Sequence, residues 1–183
     1  KTERSLVRRL SAAAEVISRM RLTHTRPDYG ITTALVAGEE VPVTQETVMS
    51  APFGTLLRFK KDVDVAQPRV LVVAPLSGHF ATLLRSTVRT LLADHDVYIT
   101  DWHNARDVSL EHGPFGFDDY IAHVIKFLEV LGPGAHVVAV CQPCVQVLAA
   151  TSIMAANHND ATPRSITLMA GPIDTRISPT KVN

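Results

Sequence analysis

Between residues 69 and 170, short unbroken apolar runs alternate with segments of helical period, and no other feature narrows the fold as much. Arg69-Val70-Leu71-Val72-Val73-Ala74 and His136-Val137-Val138-Ala139-Val140 are short and apolar throughout, as strands buried on both faces are. Val97-Tyr98-Ile99-Thr100 and Ser165-Ile166-Thr167-Leu168-Met169-Ala170 continue the series. Between them, helical spacing runs through 80–93 (Leu84, Val88, Leu91), 117–131 (Tyr120, Ile121, Val124, Phe127, Leu128) and about 144–157. Asp118 and Asp119 suit the start of the second helix, and Gly132-Pro133-Gly134 ends it. Strand–helix alternation means right-handed βαβ units, hence an α/β fold with a mostly parallel sheet and flanking helices.

The stretch before this series reads differently. Residues 1–20 carry a helical stripe of Leu6, Leu10, Ala13, Ile17 and Met20, expected to dock as an ordinary surface helix. The first 26 residues hold seven basic and two acidic side chains, but Glu3 and Glu15 weigh against a transit peptide. Residues 23–54, broken by Pro27, Gly30, Gly38, Pro42, Pro52 and Gly54, are expected to be irregular. Thr55 to Lys60 alternates like a strand with one wet face. The organisation expected is therefore an N-terminal helix and lead-in over 1–52, then an α/β domain over 53–183.

Eighteen basic residues balance eighteen acidic ones, so a large positive field for nucleic acid or an anionic membrane is absent. No apolar run approaches a membrane span. Two cysteines three residues apart are no disulfide framework, which makes a reducing cytoplasm the expected compartment. No cofactor and no metal ion is expected.

In an open α/β sheet ligands sit beyond the carboxyl ends of the strands. Three loops gather there: Pro75 to Phe80, Asp101 to Arg106, and Cys141 to Pro143. Cys141 lies where a buried strand gives way to a helix, the place of a nucleophile elbow. Compact neighbours are needed two residues to either side, and Ala139 and Pro143 meet that need. A thiolate at Cys141 would be favoured by the helix N-terminus, and the backbone N–H of Gln142 would face a developing oxyanion. Leu76 or Ser77 would supply a second oxyanion N–H.

Blander readings stand beside these. Cys141 could be a small buried apolar residue. Cys141-Gln142-Pro143-Cys144 is also a C-x-x-C, as in thioredoxin-like redox proteins, although those place the motif after an earlier strand. His79 opens a helix and reads as a positioning or substrate-binding side chain before a general base. Ser77 reads as a turn former before a nucleophile. Trp102 could face a ligand or simply pack.

Several runs resemble the intracellular polyhydroxyalkanoate (polyhydroxybutyrate) depolymerases of bacteria. They are Phe53-Gly54-Thr55-Leu56-Leu57-Arg58-Phe59, the segment from Ala74-Pro75-Leu76-Ser77-Gly78-His79-Phe80 to Arg85, the segment Asp94 to Asp101-Trp102, Val140-Cys141-Gln142-Pro143, and Gly171-Pro172-Ile173-Asp174-Thr175-Arg176. The resemblance spans about 53–183. It implies an α/β-hydrolase that cleaves ester bonds of stored poly(3-hydroxybutyrate) in the cytoplasm at the granule surface, with Cys141 as nucleophile. The related polymer synthases, acyltransferases using an elbow cysteine, carry glycine where this chain has Pro143. A synthase-like activity would need a coenzyme A site, and none is read here.

In α/β-hydrolases the triad acid and histidine follow the nucleophile, and 42 residues follow Cys141. Asp174 comes one strand early for the acid, and His158 ends the helix leading away from Cys141. Both partners are expected beyond Asn183, and the chain is expected to be a fragment that could be inactive alone. Cys144, where a small residue such as Ala is expected, could be oxidised together with Cys141. A sheet lacking later strands would leave an exposed edge, so homo-oligomers or aggregation are expected.

Overall fold

The structure, a computed structural model, describes residues 2–19, 25–76 and 80–177. A seven-stranded sheet forms in the order β1-β2-β3-β5-β4-β6-β7. The strands are β1 (Thr33–Val36), β2 (Glu39–Ala51), β3 (Gly54–Lys61), β4 (Arg69–Val73), β5 (Asp96–Trp102), β6 (His136–Val140) and β7 (Ser165–Met169). The helices are α1 (Thr2–Arg19), α2 (Arg85–Leu91), α3 (Phe117–Leu131) and α4 (Pro143–Ala156).

One half of the sheet is antiparallel and the other parallel. β1–β2, β2–β3 and β3–β5 pair antiparallel, while β5–β4, β4–β6 and β6–β7 pair parallel. The parallel half is where the short apolar runs sit, and it supplies much of the core, which also takes in Leu56 and Phe59 of β3. Leu71, Val72, Val73, Val97, Ile99 and Ala139 have no exposed surface.

The antiparallel half corrects the expectation for 23–54. Residues 33–36 and 39–51 are strands, and the expected boundary at 52/53 falls in the turn between β2 and β3. β2 escapes notice because it is polar along most of its length, contains Pro42 and breaks its own alternation with a register shift between Thr47 and Met49. The segment expected as one helix over 80–93 is a 3-10 turn, Ala81–Leu84, followed by α2.

α1 forms as its period requires but does not dock. Leu6, Leu10 and Ile17 are all exposed, and Met20 lies outside the described residues. Among the described residues no helix is long and apolar enough to cross a membrane.

Strand order locates the site. From β4 the chain moves outward to β5 and then returns past β4 to β6, so the direction of winding reverses between β4 and β6. Right-handed crossovers then put α2 on one face of the sheet and α3 and α4 on the other. The carboxyl ends of strands on either side of such a reversal diverge and leave a crevice. Here that crevice lies between Ala74 and Cys141.

Candidate active site at the strand–helix turn

Cys141 follows β6 directly and precedes α4 by one residue. Its φ is +68°, in the left-handed region where a side chain is strained. The reason is geometric. Cys141 N–H still continues the β6–β7 ladder, donating to Met169 O at 2.8 Å, while two residues later the chain is already helical. Gln142 is αR with φ −47° and Pro143 is the first helical residue, where its missing N–H costs nothing. Reversing from strand to helix within one residue forces the left-handed conformation. It leaves the Cys141 side chain exposed beyond the end of β6, although Val137 and Ala139 of that strand are buried.

The crowding expected around this turn is met by Ala139, which is fully buried, by buried Pro143, and by a residue whose role the sequence did not disclose. Gly171 follows Ala170 (φ +54°), which turns the chain back from β7 across the elbow. A Cβ on Gly171 would collide with Cys141 O and with Cys144 Cβ and Sγ. The signal for it is a contact between β7's loop and the elbow, which no local pattern encodes.

Cys144 sits beneath the elbow. It is buried, its N–H donates to Cys141 O at 3.2 Å, and its sulfur lies 3.5 Å from Ala139 O and 3.6 Å from Met169 O. Burial pushes its thiol up from the usual cysteine value, with the neighbouring Cys141 adding to the rise.

Across the crevice, the loop after β4 is fixed at its first residue. Ala74 N–H donates to Thr100 Oγ1 (3.0 Å), and Ala74 O accepts from Trp102 Nε1 (2.8 Å) and Tyr120 Oη (3.0 Å). Both backbone polar groups of a fully buried residue are thus satisfied by side chains of β5 and α3. Trp102, for which both a ligand-facing and a packing role stood open, is buried among Phe115, Tyr120, His123 and Phe127 and serves this loop through its indole N–H. Thr100 and Tyr120 went unnoticed as loop-holding residues because on sequence they are ordinary members of a strand and a helix.

Two residues on, Leu76 N–H donates to Gln142 Oε1 at 3.1 Å. This bond spans the crevice and ties the β4 loop to the elbow. The expected oxyanion donor is therefore engaged with the amide oxygen of the residue beside Cys141. A substrate oxygen reaching for Leu76 N–H must displace it. Ser77 and His79 lie outside the described residues.

Asp174 and His158 are not brought to Cys141. Asp174 is exposed and held by Arg176 through Nε at 2.9 Å and NH2 at 2.8 Å, contacts that keep its carboxyl below the usual value. His158 is exposed just past α4, whose 14 residues put it about 20 Å from the elbow. Among the described residues no histidine is hydrogen-bonded to Cys141. Asp101, near the end of β5, is buried. It pairs with Arg26 at 2.7 Å, its other oxygen has no partner among the described residues, and burial raises its pKa.

No protein-family model matches the sequence, and no curated protein matches it. Solved structures do. A candidate esterase from Staphylococcus aureus superposes over 97% of this chain and 56% of its own, with TM-score 0.51 and 14% identity. The fold is that of an α/β-hydrolase. Naproxen esterase (carboxylesterase NP) from Bacillus subtilis matches over 69% of this chain and 42% of its own, with TM-score 0.47 and 13% identity. A candidate lipase from Acinetobacter baumannii matches over 70% and 42%, with TM-score 0.48 and 14% identity. The chain thus spans 42% to 56% of the length of these structures. The C-x-x-C stands after the third parallel strand of this sheet, on an α/β-hydrolase scaffold.

Proposed function

We propose that this chain carries the nucleophile of a carboxylic-ester hydrolase, with Cys141 attacking the ester carbonyl, and that the ester is a polyhydroxyalkanoate such as poly(3-hydroxybutyrate). The observation that carries the reading is the +68° φ of an exposed Cys141 on a one-residue strand-to-helix turn. A strained turn of that form lifts a nucleophile above the sheet edge. The esterases and lipase named above supply the fold-level analogy. The polymer substrate rests on the sequence runs that resemble the depolymerases, among them Val140-Cys141-Gln142-Pro143. A cytoplasmic granule surface as the place of action belongs to the same resemblance.

In this reading Cys141 thiolate adds to the carbonyl carbon, and N–H groups at the turn and on the β4 loop hold the oxyanion. Collapse expels the alkoxide of the shortened polymer and leaves a 3-hydroxyacyl thioester on Cys141. Water then releases the hydroxy acid. The expelled alkoxide needs a proton, which requires a histidine oriented by a carboxylate. Asp174, paired with Arg176, and His158, at the far end of α4, do not fill those roles.

The test is formation of the thioester. The chain is mixed with an activated ester of 3-hydroxybutyrate and followed by intact mass spectrometry. One added hydroxybutyryl group, removed by neutral hydroxylamine and missing in Cys141→Ala, is the expected result. Labelling that persists in Cys141→Ala, or sits on lysines, would overturn the assignment of the nucleophile.

A further inference from the structure

Cys144 has no part in the proposed ester chemistry, yet its sulfur is placed directly under the residue that does. We infer that Cys141 and Cys144 form a peroxide-responsive thiol pair, in which oxidation of Cys141 is resolved by Cys144 as an intramolecular disulfide.

Three features of the turn carry this. First, the two thiols divide the work a resolving pair requires: Cys141 is exposed to a soluble oxidant and Cys144 is shielded from it. Second, the backbone already holds them close enough. The Cys144 N–H to Cys141 O bond of 3.2 Å closes a four-residue turn. Such turns keep their end Cα atoms within about 7 Å, which overlaps the roughly 4.4–6.8 Å that disulfides span. Third, Cys144 Sγ points back toward the elbow rather than away along the helix. It shares Met169 O with the Cys141 N–H, at 3.6 Å and 2.8 Å respectively. Gly171, lacking a side chain, lets the chain cross close over both residues, where a Cβ would meet Cys141 O and Cys144 Sγ.

The chemistry balances with a hydroperoxide as oxidant. Cys141 thiolate attacks the distal peroxide oxygen, an S–O bond forms, the O–O bond breaks, and the alcohol or water leaves with a proton. Cys144 thiolate then attacks the sulfenic sulfur. The S–S bond forms, the S–O bond breaks, and hydroxide departs to become water. Two electrons pass from the two thiols to the peroxide. Burial disfavours the Cys144 thiolate, which slows resolution and gives dimedone time to trap the sulfenic acid. The disulfide protects Cys141 from irreversible oxidation to sulfinic acid. That it also silences an esterase rests on the function proposed above; the pairing itself does not.

The experiment treats the 183-residue chain with hydrogen peroxide, with and without dimedone, and maps both cysteines by peptide mass spectrometry. Expected for wild type is a Cys141–Cys144 disulfide, two hydrogens lighter and reversed by dithiothreitol. Cys144→Ala should lose the disulfide, accumulate the dimedone adduct on Cys141, and pass on to sulfinic acid. Cys144→Ser, with circular dichroism of all variants, guards against a packing defect at the buried position. Sulfinic acid forming on Cys141 equally fast in wild type and both Cys144 variants, or disulfides only between molecules, would overturn the pairing. Every readout is mass rather than turnover, so a chain that pairs its thiols but forms no thioester refutes the esterase proposal alone.

Discussion

Cys141 is kept left-handed by neighbours that carry no chemistry, so the turn answers to substitutions several residues away from it. Gly171→Ala puts a methyl group against Cys141 O and the Cys144 side chain, both fixed by hydrogen bonds. Overpacking of this kind typically costs about 1–3 kcal/mol. The urea midpoint should fall accordingly, and an unchanged midpoint would mean the crossing is looser than described. Gln142→Met keeps the side chain's length but removes the acceptor from Leu76 N–H. Losing one neutral hydrogen bond of about 1 kcal/mol should quicken amide exchange at Leu76 about fivefold, with distant amides unaffected. Cys141 was legible in the sequence because a buried strand meeting a helix across three residues leaves few alternatives for the residue between. Gly171 was not, since its constraint comes from the elbow, 27 to 30 residues earlier in the chain. The Gln142–Leu76 bond was hidden for a similar reason: a backbone donor can be assigned from position, but its partner depends on where two loops meet.

At the scale of elements, the β4 loop is aimed by β5 and α3 through one peptide. Ala74 O has two donors and Ala74 N–H a single acceptor, an asymmetry that orders the effects of substitution. Tyr120→Phe leaves the carbonyl bonded to Trp102 and should cost about 1 kcal/mol. Thr100→Val fits the same space but strands a buried N–H donor, at about 1–3 kcal/mol. Urea denaturation of the two variants should therefore rank Thr100→Val as the less stable, and the reverse order would show that the carbonyl, not the N–H, anchors the loop. The elements meeting here were readable beforehand because β4, β6 and the inner face of α3 are apolar at the right spacing. β1 and β2 were missed because one is only four residues long and the other is mostly polar and shifts its register, even though Ala34, Val36 and Val43 are buried. Pairing with β3, including Val43 to Lys61 and Ala51 to Gly54, stabilises β2 where its own side chains do not.

Among the described residues, several elements leave apolar surface exposed, β7, α4 and α1 among them. β7 is paired on one side only among the described residues, with Met169 exposed and Ile166 and Leu168 half-buried. α4 is apolar on nearly every face, yet Ile153 is 43% exposed. α1 presents Leu6, Val7, Leu10, Val16 and Ile17 to solvent, each about 60–67% exposed. An unpaired strand edge offers backbone hydrogen bonds and neighbouring apolar surface adds the drive to use them, so self-association is the expected behaviour of this chain. Light scattering should give an average mass above that of the monomer at tens of micromolar, falling on dilution. Thr167→Lys places a charge in the middle of β7, beside the unpaired edge to which a second strand would have to add. If β7 is the contact, that variant should run as a monomer with unchanged circular dichroism, while Leu10→Glu on α1 has no effect. The opposite pattern would move the contact to α1. A single monomeric species across the whole concentration range would show that neither surface is sufficient to hold two copies together.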